Sequence, residues 1–292
     1  MKSPTMKKFS LSAISLAAVL CAGSVQAAPG SVTSSVTVSN FHYTLIDLDT
    51  NDNIAPSIHF NFPDPTDSWK RRGSNVRVYS AVLADGENSI NRSASERNAK
   101  VVDMSQSTSL LGMVNSSGTI TTGGGEFGMQ GASSVIQGAA VIPVDSAFQG
   151  TNYYSAEGGI FKDAPFTLSA HTKLEFSFDI LVSASVFANK NQNARSETRF
   201  ESYLGYIDAL GENRYGSEVR AIYLGSAWGS AESINETLSM SVSNTTDNDL
   251  AGDFALSSNM WGQVTAVPEP ETYAMLLAGL GLLGFMAKRR RA

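Results

Sequence analysis

Residues 172–186 read TKLEFSFDILVSASV, and their alternation decides the fold class. Leu174, Phe176, Phe178, Ile180 and Val182 fall on one face of an extended chain, with Glu175, Ser177 and Asp179 on the other. Side chains two apart share a face of a strand, whereas a helix would scatter this set around its circumference. One apolar and one polar face are what an antiparallel sheet packed on one side requires. The same period recurs outward along the chain, at Ser34–Asp47, Asn75–Val82, Arg199–Ala209, Glu218–Leu224 and Glu236–Ser243, and in the trio Ile58, Phe60 and Phe62. Turn-forming residues punctuate these runs at Pro63-Asp64-Pro65, Asp85-Gly86, Gly123-Gly124-Gly125 and Leu210-Gly211-Glu212-Asn213. No internal repeat marks a solenoid or propeller. The expected fold is all-β, an antiparallel β-sandwich or jelly roll over residues 28–265. Asn88–Lys100 lacks the alternation and is expected as a short helix or a loop. Ser243–Asp249 and the segment before Val267 read as linker or final strand.

Both ends carry a different kind of sequence. Lys2, Lys7 and Lys8 precede an apolar run from Phe9 to Ala22, and Val25-Gln26-Ala27 forms a small-residue site before Ala28. That order predicts a signal peptide over 1–27, cleaved between Ala27 and Ala28, and entry into the general secretion machinery. Met6 is an alternative start that keeps the signal intact. Cys21 follows Leu20 rather than a small residue, which argues against a lipoprotein signal. At the other end, Pro268-Glu269-Pro270 is followed by an uncharged apolar run from Tyr273 to Ala287 and then by Lys288-Arg289-Arg290-Arg291. Pro270 has its φ set for a first helical turn, and Glu269 and Glu271 put negative charge at the positive end of the helix dipole. A helix over those apolar residues would be roughly 22 Å long, short against a hydrocarbon layer of roughly 30 Å. The terminal cations can snorkel and set the orientation, with the C-terminus cytoplasmic and the body outside. A plain transmembrane anchor is the alternative, whereas a core helix would not be apolar on every face and end in four cations.

The order of Val267-Pro268-Glu269-Pro270, the Ala274–Leu283 apolar core and the basic cluster resembles the PEP-CTERM sorting signal of bacteria with an outer membrane. The resemblance covers 266–292. It implies recognition at the Pro-Glu-Pro by exosortase, a membrane-embedded cysteine protease, and transient anchoring in the inner membrane through a single C-terminal transmembrane helix. Removal of that helix and delivery of the body to the cell surface or extracellular matrix would follow, commonly in organisms that make exopolysaccharide. The body is similar to uncharacterised exported β-rich proteins with the same tail, through Tyr43-Thr44-Leu45-Ile46-Asp47-Leu48-Asp49, Ile54-Ala55-Pro56-Ser57-Ile58 and Phe166-Thr167-Leu168-Ser169-Ala170-His171-Thr172. That similarity implies the fold class and brings no catalytic residues.

The whole chain holds 21 Lys plus Arg and 27 Asp plus Glu. Setting aside Lys2, Lys7, Lys8 and the four terminal cations leaves 14, and setting aside Glu269 and Glu271 leaves 25, so the body stands near −11. Such a balance argues against nucleic acid and anionic lipid as partners. Cys21, the one cysteine, lies in the signal, so the body has no disulfide, thiol nucleophile or thiolate metal site.

No catalytic, cofactor or metal site is expected. Asp47, Asp49, Asn51 and Asn53 imitate the start of a calcium loop, but Asp52 and Ile58 stand where the EF-hand glycine and glutamate belong. An Asx-rich turn is the expected role. Glu175 and Asp179 lie four residues apart on one strand face, about 13 Å, too wide for a glycosidase pair at about 5–9.5 Å. His42, His59 and His171 are scattered, with no spacing that builds a zinc site or a Ser-His-Asp triad. Lys70-Arg71-Arg72 reads as an exposed turn. Trp69, Trp228 and Trp261 could form a sugar-stacking platform, or serve in packing. Two functions stay open: a non-enzymatic structural or adhesive component linked to exopolysaccharide, and a polysaccharide-binding or polysaccharide-modifying jelly roll. A sheet face with exposed aromatics and converging carboxylates would favour the second, and a flat Ser/Thr-rich face the first.

Overall fold

The alternation over 172–186 becomes a long strand paired on both sides within one sheet. The computed structural model describes residues 30–61, 73–84, 89–98, 101–125, 128–142, 150–188, 192–208, 210–225 and 229–266. The expected signal peptide, Ala27–Ala28, Pro268–Pro270, the expected C-terminal helix and Lys288–Arg291 lie outside them, as do Trp69, Trp228 and Lys70–Arg72. Thirteen strands order the described chain: β1 Ser31–Asp47, β2 Ile58–Phe60, β3 Asn75–Ala84, β4 Ile90–Arg97, β5 Met104–Leu110, β6 Val114–Thr121, β7 Ser133–Val141, β8 Gly150–Leu168, β9 Thr172–Phe187, β10 Gln192–Ile207, β11 Asn213–Leu224, β12 Ser230–Asn244 and β13 Leu250–Ala266. The fold is an antiparallel β-sandwich, as expected. Its first sheet runs β12-β9-β1-β7-β6-β5, and its second β11-β10-β13-β8-β3-β4, with β2 also on β8.

The two sheets meet through the faces that alternation assigns inward. Leu174, Phe176, Phe178, Ile180 and Val182 of β9 are all buried, with Phe41 of β1 and Phe161 and Phe254 of the opposite sheet. Phe176 stacks on Phe254 across the interface at 4.1 Å between ring centroids, and Phe41 meets Phe161 at 4.9 Å. Such aromatic pairs add about 0.5–1.5 kcal/mol beyond the area they bury. Toward the other end Tyr154 of β8 is the largest fully buried side chain. Its ring fits because β7 offers Gly138 and β13 offers Gly262. A methyl at Gly138 would stand 2.1 Å from the ring, and one at Gly262 2.4 Å. Its hydroxyl shares a 2.7 Å hydrogen bond with Ser34 of β1.

One expectation changes. Asn88–Lys100 is not a helix or loop, since Ile90–Arg97 pairs with β3 as β4. It sits at the edge of its sheet and is exposed on both faces for most of its length, so it carries no apolar alternation. Of the two readings of the segment before Val267, the final strand is the one the fold adopts, a full 17-residue strand between β10 and β8 that reaches one residue beyond the expected boundary at 265.

Candidate functional site

The outer face of the second sheet carries what the first sheet's outer face lacks. On β3, β8, β13 and β10 the odd-numbered residues point outward, because Val76, Val78, Tyr154, Ala156, Met260, Val264, Thr198 and Phe200 are buried at the even positions. Pairing places Tyr79 opposite Ser155, and Ser155 opposite Trp261. A small side chain thus stands between two large rings on adjacent strands. The result is a trough of about 490 Å³ lined by Arg77, Tyr79, Tyr153, Ser155, Glu157, Asn259 and Trp261. Tyr153 closes one end, its ring nearly parallel to Trp261 at 6.4 Å and at a steep angle to Tyr79 at 5.9 Å. Arg77, Glu157 and Asn259 lie one row further along their strands and form the polar end.

The trough's groups are held from behind. The Trp261 indole N–H donates to Glu197 Oε2 at 3.0 Å, which leaves its ring face and not its polar edge for a ligand. Glu157 accepts from the Asn75 amide at 3.1 Å. All three aromatics are half-buried, so each is partly held by its neighbours and partly open to solvent. Chemically the trough offers aromatic walls, a serine hydroxyl at the floor, and a guanidinium, a carboxylate and an amide at one end. Glu157 and Glu197 are two strands and one row apart, about 12 Å between Cα positions.

The sequence singled out Trp261 and missed Tyr79 and Tyr153. Their signal was their phase. Tyr79 follows buried Val78 and precedes buried Ser80, and Tyr153 precedes buried Tyr154, so each is a large aromatic at the outward position of a strand.

The outer face of the first sheet is rich in hydroxyls. Ser107, Ser117, Gln137, Ser35, Ser183 and Ser233 stand opposite one another across six strands. Ser35 bonds Ser183 at 2.8 Å, and Thr33 bonds Ser185 at 2.7 Å. Glu175 and Asp179 belong to this face and serve separate local pairs. Glu175 meets Lys173 at 2.6 Å. Asp179 accepts from Thr237 and Asn40, both at 2.6 Å, and chiefly the Thr237 bond holds its carboxyl below the usual carboxylate range. Asn40 reaches it from a bulge in β1, where its φ of +53° is a conformation asparagine tolerates better than most residues.

Asp47, Asp49 and Asp52 do form successive Asx turns, accepting from the backbone N–H of Asp49, Asn51 and Ile54 at 3.0, 3.0 and 2.7 Å. The fold adds a partner that spacing did not reveal. His171, in the turn between β8 and β9, brings Nδ1 to 3.3 Å from Asp52 and 3.7 Å from Asp49, and Nε2 to 2.9 Å from Asp247. Asp49, Asp52 and His171 offer ligand atoms within 4.8 Å of one another, and among the described residues this is the group that could take a divalent cation. It ties together the turns after β1, β8 and β12. His42 instead sets Nδ1 2.9 Å from the Asn40 carbonyl, and His59 lies in β2.

No curated protein matches the chain. Among solved structures, the N-terminal CBM22-1-CBM22-2 tandem domain from Paenibacillus barcinonensis Xyn10C shares 9% identity over 80% of this chain and 79% of that one, at a TM-score of 0.11. That likeness is too slight to bear on fold or function. Residues 266–291 match the family model for the PEP-CTERM protein-sorting motif, a span that includes Pro268-Glu269-Pro270 and Lys288–Arg291. The β-sandwich is therefore the cargo of a PEP-CTERM sorting signal, which marks the chain for export and for processing by exosortase.

Proposed function

We propose that the exported sandwich is a non-catalytic, polysaccharide-binding component of the cell-surface matrix. The observation that carries this reading is the trough between Tyr79 and Trp261. A sugar ring has an apolar C–H face that packs on an aromatic ring and a rim of hydroxyls that needs donors and acceptors. The trough supplies both, in rings fixed before any ligand arrives, and preorganisation of this kind lowers the entropic cost of binding. Sorting to the surface supports the same reading, since exopolysaccharide is the polymer that such a protein would meet there. In this reading Glu197 and Glu157 serve to hold the trough's walls, Glu197 accepting from Trp261 and Glu157 from Asn75. The hydroxyl-rich face of the first sheet supports an additional structural role in contact with hydrated matrix.

Affinity electrophoresis of the processed chain through gels containing the producing cell's own exopolysaccharide tests the proposal. Retardation by the polymer, lost in Trp261→Ala and Tyr153→Ala, is the expected result, with no release of reducing ends from the polymer on long incubation. Unchanged mobility of the wild-type protein would sink the binding role, and steady release of reducing ends would sink the non-catalytic one.

A further inference from the structure

The trough is one part of a longer row. Beyond Trp261 the pairing continues to Glu197 of β10 and from Glu197 to Tyr223 of β11. Tyr79, Ser155, Trp261, Glu197 and Tyr223 therefore stand directly opposite one another across five consecutive strands, all on the outward phase. Aromatic and polar side chains alternate along this row. Neighbouring strands lie about 4.8 Å apart, so Tyr79, Trp261 and Tyr223 recur at about 9.6 Å, with a hydroxyl and a carboxylate midway. Tyr223 is 63% exposed on an edge strand. A second row runs beside the first: Arg77, Glu157, Asn259 and Arg199 are also directly opposite one another.

We infer that this face is a track for an internal segment of a linear, uncharged polysaccharide, which crosses the strands with alternate sugars stacked on Tyr79, Trp261 and Tyr223. The inference rests on the binding function proposed above and extends it from one trough to the width of the sheet. An extended glycan presents ring after ring along one line. Sugars between the stacked ones would meet Ser155 and Glu197, and the Arg77–Arg199 row would take hydroxyls along one flank. Charge excludes a polyanion. Arg199 is already paired with Glu201 at 3.0 Å, Glu157 and Glu197 offset the remaining guanidinium of Arg77, and the body as a whole stands near −11. Both ends of the row are open, which suits a chain interior more than a chain terminus.

Titration calorimetry of the full processed chain decides the matter, with linear β-glucan, β-mannan and β-galactan oligosaccharides from disaccharide to octasaccharide and oligogalacturonate as the anionic counterpart. Affinity for a neutral series should climb from disaccharide to pentasaccharide and then level off. Tyr223→Ala should weaken the long oligosaccharides roughly three- to tenfold, the worth of one aromatic contact, and leave the disaccharide unaffected. Tyr215→Ala is the control, since Tyr215 is 76% exposed on the same strand but lies off the row. Affinity that levels off at the disaccharide, together with a silent Tyr223→Ala while Trp261→Ala still abolishes binding, would overturn the track and spare the trough. Tighter binding of oligogalacturonate than of any neutral series would overturn the assignment to uncharged polymer. A silent Trp261→Ala would remove the underlying binding function itself.

Discussion

Gly138→Ala isolates the packing that joins the two sheets around Tyr154. The new methyl would stand 2.1 Å from Tyr154 Cδ2 and 2.4 Å from Cε2, where unstrained carbon contacts lie at about 3.5–4.0 Å. The ring has nowhere to retreat. On its far side it rests on the Gly262 backbone, where an added Cβ would come within 2.4 Å of Cζ, and its hydroxyl is tied to Ser34 at 2.7 Å. A displacement of more than about 1 Å must then be shared between two sheets, which places the cost near the top of the overpacking range, at about 3 kcal/mol. For a domain of this size that corresponds to a fall in Tm of roughly 6–12 °C. Urea denaturation followed by tryptophan fluorescence gives the same quantity as a lowered midpoint at unchanged slope. A companion variant, Gly138→Ala with Tyr154→Leu, should destabilise by less than the two single changes added, since the methyl then enters space that the ring has left. A Gly138→Ala protein within about 0.5 kcal/mol of wild type would refute the clamp.

Three further outcomes follow from the same structure. Burial, partly offset by bonds from Ser34 and Ser196, holds the Tyr154 phenol well above its ordinary range; the stability it contributes is complete below the unfolded value near pH 10 and is lost as pH rises through the folded one, so absorbance at alkaline pH should show this tyrosine ionising only with unfolding. Asp179 is depressed by Thr237 first and Asn40 second, so its contribution is present above about pH 4 and lost as pH falls through the folded value; Asp179→Asn should lower the urea midpoint at neutral pH, leave the most acid values nearly unchanged and so flatten the acid limb of the profile. Mass spectrometry of the exported protein should find no peptides beyond Pro270 when exosortase is active and an intact C-terminus when it is absent, and an intact C-terminus in both would reduce the segment to a plain membrane anchor.

Alternation made β1, β3, β9, β10, β11 and β12 legible through stretches in which Val, Leu, Ile or Phe recur at every second position, although in β10 the inward Ser196, Thr198 and Ser202 are hydroxylated. It was muted in β5 to β7, where inward positions hold small or hydroxylated residues. Thr108 and Ser116 bond each other and Ser80 at 2.9, 2.7 and 3.3 Å inside the sandwich, and Gly138 is empty so that Tyr154 can fit. A buried hydroxyl that finds its partner in another strand looks, in sequence, like any surface serine. Strand β4 failed for the opposite reason, since an edge exposed on both faces has no apolar phase to display.

The sequence alone determined what is encoded locally: a class of fold, through the two-residue period of residues 172–186, and a destination, through two terminal segments whose hydrophobicity and charge order need no partner to be meaningful. The candidate site was decided by tertiary structure. Tyr79, Ser155, Trp261, Glu197 and Tyr223 come from five strands far apart in the chain, and only the register of those strands sets them in one row. Register is a non-local quantity, fixed jointly by which faces must be buried and by how the intervening turns close, and a shift of one residue in any pair would turn its side chains to the other face.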